Sequence, residues 1–129
     1  MRSGWGAPFC FAGPVPLVEI TYAPDVPHKV LKDLAAILPH AVSVAVQCPG
    51  EPYDGNLQPG DVELRFRSRG PFDSSGMDLV VEVRSKWFES RAANRQERVD
   101  GLCKAVEEAT GLREIGVYLS LPIAAWAQR

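Results

Sequence analysis

Residues 78–121 contain a complete strand–helix–strand unit and read DLVVEVRSKWFESRAANRQERVDGLCKAVEEATGLREIGVYLSL. Residues 78–84 are rich in β-branched side chains, which favours a strand. From about Phe88 the pattern predicts a long helix with a polar outer face. Its predicted buried positions are Val99, Leu102, Cys103, Val106 and Ala109. Gly111 stands where a helix commonly ends in a glycine, and residues 114–121 predict the next strand.

The N-terminal half of the chain repeats this arrangement. Residues 16–22 (PLVEITY) predict a strand. Asp25 is the predicted N-cap of a helix whose apolar positions between Val30 and Leu38 follow helical spacing. Pro39 either ends or kinks this helix. We favour a kinked continuation through residues 41–46 over a separate strand, because a crossover must be filled before the next clear strand.

That next strand is predicted at residues 61–68, after a loop at 48–60. Its side chains alternate, with Val62, Leu64 and Phe66 on one face and Glu63, Arg65 and Arg67 on the other. Two β-α-β units side by side predict an α+β domain: a four-stranded mixed sheet with both helices on one face. The opposite face is bare and partly charged, which favours contact with partner subunits or a ligand.

The composition describes one ordinary domain and excludes several classes of protein. The chain has 129 residues, of which 46% are hydrophobic, and a net charge of −2. This charge gives no basis for a nucleic-acid or anionic-membrane partner, and no apolar run approaches the length of a membrane-spanning helix. Three cysteines without paired spacing fit reduced thiols in a cytoplasm. His28 and His40 lack further ligands nearby, so no metal site is expected.

Residues 1–15 form a predicted N-terminal extension to a single domain at 16–129. Glycines and prolines interrupt any apolar core that a secretory signal would need. Three large aromatic side chains, Trp5, Phe9 and Phe11, are costly to leave in water. We therefore expect the extension to pack on the domain or on a neighbouring subunit.

From Pro16 to about Trp126 the sequence resembles the tautomerase superfamily. It is similar to the macrophage migration inhibitory factor and 5-carboxymethyl-2-hydroxymuconate isomerase branches and to their bacterial relatives. The resemblance is strongest over residues 79–121. It is carried there by Glu89-Ser-Arg91 and Asn94-Arg95 at the start of the helix, Gly101-Leu-Cys103 within it, and Gly116-Val-Tyr118 in the last strand.

The resemblance implies a homotrimer that isomerises a small enol or 2-oxo carboxylic acid without a cofactor. Members of the family begin with a proline whose free nitrogen is the general base, and Pro16 matches it by position. Arg65 or Arg67 matches the arginine that holds the substrate carboxylate, and Tyr118 matches a tyrosine that lines the pocket.

One feature of this chain departs from the family: Val15 precedes Pro16. An amide nitrogen has no basic lone pair, so Pro16 cannot act as a base while residues 1–15 are attached. A GTG start codon at Val15, followed by removal of the initiator methionine, would free this nitrogen. The rival hypothesis is a non-catalytic trimeric binding module in which the extension covers the pocket or enlarges the subunit interface.

Each candidate residue also has a structural interpretation. Pro16 can simply begin an edge strand, and Arg65 and Arg67 can form an ion-pair ladder with Glu63. Tyr118 can belong to the core. We interpret the cations at Arg84, Lys86, Arg91, Arg95 and Arg98 as a salt-bridged surface, because acidic residues are interleaved with them.

Overall fold

A four-stranded mixed sheet with helices on one face organises the chain. The computed structural model describes residues 16–51, 56–127 and 129, so the predicted extension at 1–15 lies outside the described residues. The elements are β1 (Leu17–Tyr22), α1 (His28–Ala45), β2 (Glu63–Ser68), β3 (Leu79–Arg84), α2 (Glu89–Ala93), α3 (Arg95–Thr110) and β4 (Ile115–Ser120). Among the described helices, none combines the length and apolar character needed to cross a membrane.

The strand order confirms the prediction of two β-α-β units. The sheet runs β2-β1-β3-β4. β1 is parallel to β2, β3 is parallel to β4, and the two units join through the antiparallel pair β1 and β3. The C-terminal end of β3 therefore lies beside the N-terminal start of β1.

The core lies between the sheet and the helices. Alternation along the two central strands buries Val18 and Ile20 of β1 and Val81 and Val83 of β3. The helices complete the core with Leu34, Leu38, Val42, Leu102 and Val106. Burying such side chains contributes on the order of 1.5–3 kcal/mol each, so this layer holds the sheet's inner face in place.

α1 continues through Pro39, as favoured from the sequence, but it begins later than predicted. Pro27 is the N-cap, and no side chain caps the helix. Asp25 lies instead in a turn in which the Val26 N–H donates to the Ala23 carbonyl at 3.0 Å. The residue before a proline is disfavoured in helical geometry. Val26 therefore cannot enter the helix, and the start moves to His28.

The second predicted helix is interrupted. It divides at Asn94 into α2 and α3, since Asn94 has φ −123° and ψ 34°. The Asn94 side chain accepts a hydrogen bond from Arg98 Nε, one turn into α3, at 2.7 Å. At the other end the predicted glycine stop is confirmed, with Gly111 at φ 72°.

Candidate functional site

Pro16 lies at the start of β1, where three chain segments meet. It is buried, and its carbonyl accepts a hydrogen bond from the Glu63 N–H at 3.0 Å. The next residue, Leu17, pairs with Glu63 on one side and with Arg84 on the other. The start of β2 and the end of β3 therefore flank Pro16.

A cleft of about 250 Å³ opens beside this point, and we call it the basal cleft. Its walls are formed by Leu17, by Ser85 directly after β3, and by the C-terminal segment. Trp126 belongs to that segment. The charged residues that line it are Glu63, Arg65, Arg84 and Lys86. Three cations and one carboxylate beside apolar walls suit a small organic anion.

The three cations of the basal cleft differ in what they already bind. Arg65 Nη2 lies 2.9 Å from a carboxylate oxygen of Glu63. This is the ion pair that the structural interpretation of Arg65 predicted. Arg84 Nη2 lies 3.3 Å from a carboxylate oxygen of Glu82. Within residues 16–51 and 56–127, Lys86 forms no ion pair, and its Nζ lies 5.4 Å from the centroid of the Phe88 ring. Lys86 is thus the cation most available to a ligand carboxylate.

Arg65 and Tyr118 belong to one row of side chains across the bare face of the sheet. In this row Arg65 is level with Glu19, Glu19 with Glu82, and Glu82 with Tyr118. Three strand spacings separate the ends of the row by roughly 14 Å. Tyr118 is 70% exposed rather than in the core. Within one protomer it does not reach the basal cleft.

Arg67 lies further from Pro16 than Arg65 does. It is level with Thr21 on β1, which places it roughly 16 Å along the strand from Pro16. The structure thus brings Pro16 and Arg65 to the same end of the sheet, and places Arg67 and Tyr118 elsewhere on it. The catalytic roles assigned to these four residues stay predictions.

Arg84, Lys86 and Trp126 were not among the candidates from the sequence. Arg84 and Lys86 had been grouped with the arginines of the second helix as a salt-bridged surface. The pairing of β3 with β1 separates them from that group and places them at the cleft. The only sequence signal was their position at or just after the C-terminal end of a strand. This position becomes informative once β3 is known to run antiparallel to β1.

A larger cavity, of about 560 Å³, lies in the helix layer between α1 and α3. Its lining includes the apolar side chains of Ala41, Val44 and Leu102 and the charged side chains of Glu97 and Arg98. Arg98 already donates to the carbonyls of Ala45 and Gln47, at 2.9 and 2.8 Å. We favour the basal cleft as the functional site despite its smaller volume, because it has an available cation and adjoins the start of β1.

Comparison with known proteins supports the fold. No protein-family model matches the sequence, and no curated protein matches it. Among solved structures, MIF2 of Leishmania major superposes with a TM-score of 0.56 at 16% identity, over 88% of this chain and 95% of that one. Malonate semialdehyde decarboxylase superposes with a TM-score of 0.60 at 17% identity, over 86% of this chain and 88% of that one. A symmetric trimer of fused 4-OT superposes with a TM-score of 0.55 at 14% identity, over 83% of this chain and 85% of that one.

Proposed function

On the premise that this chain has the tautomerase fold, we propose that it isomerises a small enol or 2-oxo carboxylic acid when the Pro16 nitrogen is free. One observation carries the proposal: Pro16 is buried at the start of β1, beside a cleft lined by three cations. A base next to fixed positive charge is the arrangement that proton transfer in a small carboxylic acid requires.

The proposed reaction moves one proton within the substrate. The free secondary amine of Pro16 takes the proton from the enol oxygen, and the electrons of that O–H bond form the new C=O bond. The electrons of the C=C bond then take a proton at carbon from the protonated amine. Atoms and charge balance without a cofactor, and the enzyme returns to its starting state.

The cations hold the substrate carboxylate in this proposal. Lys86 pairs with it directly, since it is the cation without an ion pair among the described residues. Arg65 and Arg84 add positive potential that stabilises negative charge developing on the substrate oxygen. Arg65 is therefore favoured over Arg67 as the arginine of the site.

Tyr118 joins the site only across a subunit boundary. In one protomer it stands at the far end of its row from Arg65. We propose that three subunits pack together through their bare sheet faces. This packing brings β4 of one protomer to the basal cleft of the next. The fused 4-OT neighbour is a symmetric trimer, which supports this assembly.

The test compares three chains that differ only in where they begin: Met1, Val15 and Pro16. The chain beginning at Val15 lacks almost all of the extension but keeps Pro16 in an amide bond. It therefore separates the effect of the free nitrogen from the loss of the extension. With the enol form of phenylpyruvate, we expect activity only in the chain that begins at Pro16, with thermal melting as the control for folding.

Two results would contradict the proposal. Equal activity in the chains beginning at Val15 and Pro16 would mean that Pro16 is not the base. A folded chain beginning at Pro16 without activity would favour the second candidate, a non-catalytic binding module. That alternative draws support from the amide at Pro16 and from the ion pairs that already occupy Arg65 and Arg84.

A further inference from the structure

Arg91 is the one charged side chain in the described core with no exposed surface. It lies in α2, next to the wall of the basal cleft. Burying a guanidinium costs free energy unless its donors are paired, so its hydrogen bonds show which parts of the fold it holds together.

Two of these bonds join the cleft wall to the helix layer. Arg91 Nη1 donates to the Lys86 carbonyl at 2.6 Å, and Arg91 Nε donates to the Val46 carbonyl at 2.8 Å. Val46 is the C-cap of α1. The planar guanidinium fixes the direction of both bonds, so the backbone at Lys86 is held at a set position relative to α1.

The same guanidinium also packs on the ring that faces Lys86. Arg91 Cζ lies 5.1 Å from the centroid of the Phe88 ring, and Lys86 Nζ lies 5.4 Å from that centroid. The backbone N–H of Arg91 also donates to the Phe88 carbonyl at 3.0 Å, a main-chain bond that does not depend on the side chain. Arg91 thus fixes both the backbone of Lys86 and the aromatic surface over which its ammonium group lies.

We propose that Arg91 and Phe88 are positioning residues that hold the Lys86 ammonium group at the basal cleft, ready for a ligand carboxylate. Arg91 acts through the Lys86 carbonyl and through Phe88, and Phe88 acts by a cation–π contact. The inference rests on the proposed function for the ligand, but the position of Lys86 can be measured with no ligand present.

The first experiment observes Lys86 directly by NMR in the full chain. Only four lysines are present, and the ε-methylene signal that disappears in Lys86→Met belongs to Lys86. The Phe88 ring current should shift this signal upfield of the other three. We expect Arg91→Met to return it to the ordinary lysine position.

Arg98→Met is the matched control. Arg98 also donates to carbonyls at the C-terminal end of α1, those of Ala45 and Gln47, but it makes no bond to the Lys86 segment. The Lys86 signal should therefore stay in place in Arg98→Met. An unshifted Lys86 signal in folded Arg91→Met, or an equal change in Arg98→Met, would overturn the proposal.

The second experiment titrates the full chain with phenylpyruvate and compares dissociation constants. Phe88→Leu should weaken binding by about two- to five-fold, the range of an exposed cation–π contact. It should have no effect in a Lys86→Met background, because Phe88 acts only through Lys86. An equal loss in both backgrounds would contradict the proposal.

Phe88→Leu also keeps the test decisive if Arg91→Met does not fold, because Phe88 is only half-buried. In that case the affinities decide: a loss in Phe88→Leu that disappears in the Lys86→Met background supports the proposal, and an equal loss in both backgrounds overturns it. If phenylpyruvate binds none of these full chains, the ligand assigned to Lys86 is wrong, while the activity of the chain beginning at Pro16 decides the proposed function separately and the NMR comparison decides whether Arg91 positions Lys86.

Discussion

At the scale of single residues, what matters for the candidate site is which charges are already paired. The ion pairs of Arg65 and Arg84 are about half exposed, and pairs open to solvent contribute little to stability. They nevertheless reduce the positive charge that these arginines offer a ligand. Lys86, held over an aromatic ring, keeps its full charge available at the basal cleft.

We predict that Lys86→Met weakens phenylpyruvate binding about ten-fold, or roughly 1.4 kcal/mol, the scale of a hydrogen bond to a charged group. Methionine retains most of the length of the side chain and removes the charge. Lys29→Met is the control, because Lys29 pairs with Asp33 on α1, at 2.8 Å. Isothermal titration calorimetry measures both, and equal losses in the two variants would argue against a role for Lys86.

A second residue-scale prediction concerns pH in a chain that begins at Pro16. An α-amino group ordinarily has a pKa near 8, and nearby cations lower it by disfavouring the protonated form. The base works when deprotonated, so activity should rise with pH through a pKa below that value. Lys86→Met removes one cation and should move the rise to higher pH. A pH profile of kcat/KM that is identical in both proteins would contradict this arrangement.

At the scale of elements, helix boundaries follow from backbone constraints at a few positions. Pro27 delays the start of α1 to His28, and Asn94 divides α2 from α3. The chain leaves α3 through Gly111 in left-handed geometry, with its N–H bonded to the Glu107 carbonyl at 2.8 Å. The turn at Gly111 ends α3 four residues before β4 begins at Ile115.

Two glycines, one inside α3 and one at its C-cap, test this account with opposite expected signs. Gly111→Ala should destabilise the protein by about 1 kcal/mol, because a side chain is strained at positive φ. Gly101→Ala should stabilise it by up to roughly 1 kcal/mol, because Gly101 is inside α3 and nothing lies within 4 Å of an added Cβ. Urea denaturation measures both. Equal shifts of the same sign would contradict the assignment of Gly111 as the helix stop.

At the scale of the whole molecule, the bare face of the sheet is the surface on which we expect subunits to meet. Glu19 and Glu82 stand opposite each other on this face, and like charges in that arrangement repel. Tyr118 is exposed on this face, on the edge strand β4. Such a surface favours association, in which side chains of another subunit replace water.

We predict a trimer in solution. Light scattering should give a mass near three times 14.1 kDa, because closing three sheets together covers all three bare faces at once. A monomer at micromolar concentration would count against both the assembly and the role proposed for Tyr118.

The extension gives the last prediction. Replacing Trp5, Phe9 and Phe11 together with Ser should lower the melting temperature or loosen the oligomer, because burial of each is worth on the order of 1.5–3 kcal/mol if complete. Comparing thermal melts and light scattering with those of the parent chain checks this. No change in either would mean that the extension does not pack on the domain.

Local patterns in the sequence were sufficient to predict the two β-α-β units, the inward faces of the strands and the glycine that ends α3. Each of these follows from the repeat of side-chain direction along a strand or helix, or from the allowed backbone angles of one residue. The resemblance and the alternation made Pro16 and Arg65 candidates for the site, and their roles stay predictions.

The composition of the basal cleft depended on tertiary structure alone. Periodicity tells which face a side chain takes, but it does not tell which strands are neighbours or in which direction they run. The antiparallel pairing of β1 with β3 brings Arg84 and Lys86 beside Pro16, although nearly 70 residues separate them in sequence. The same pairing leaves Tyr118 two strands away from Pro16, because β4 adds to the far side of β3.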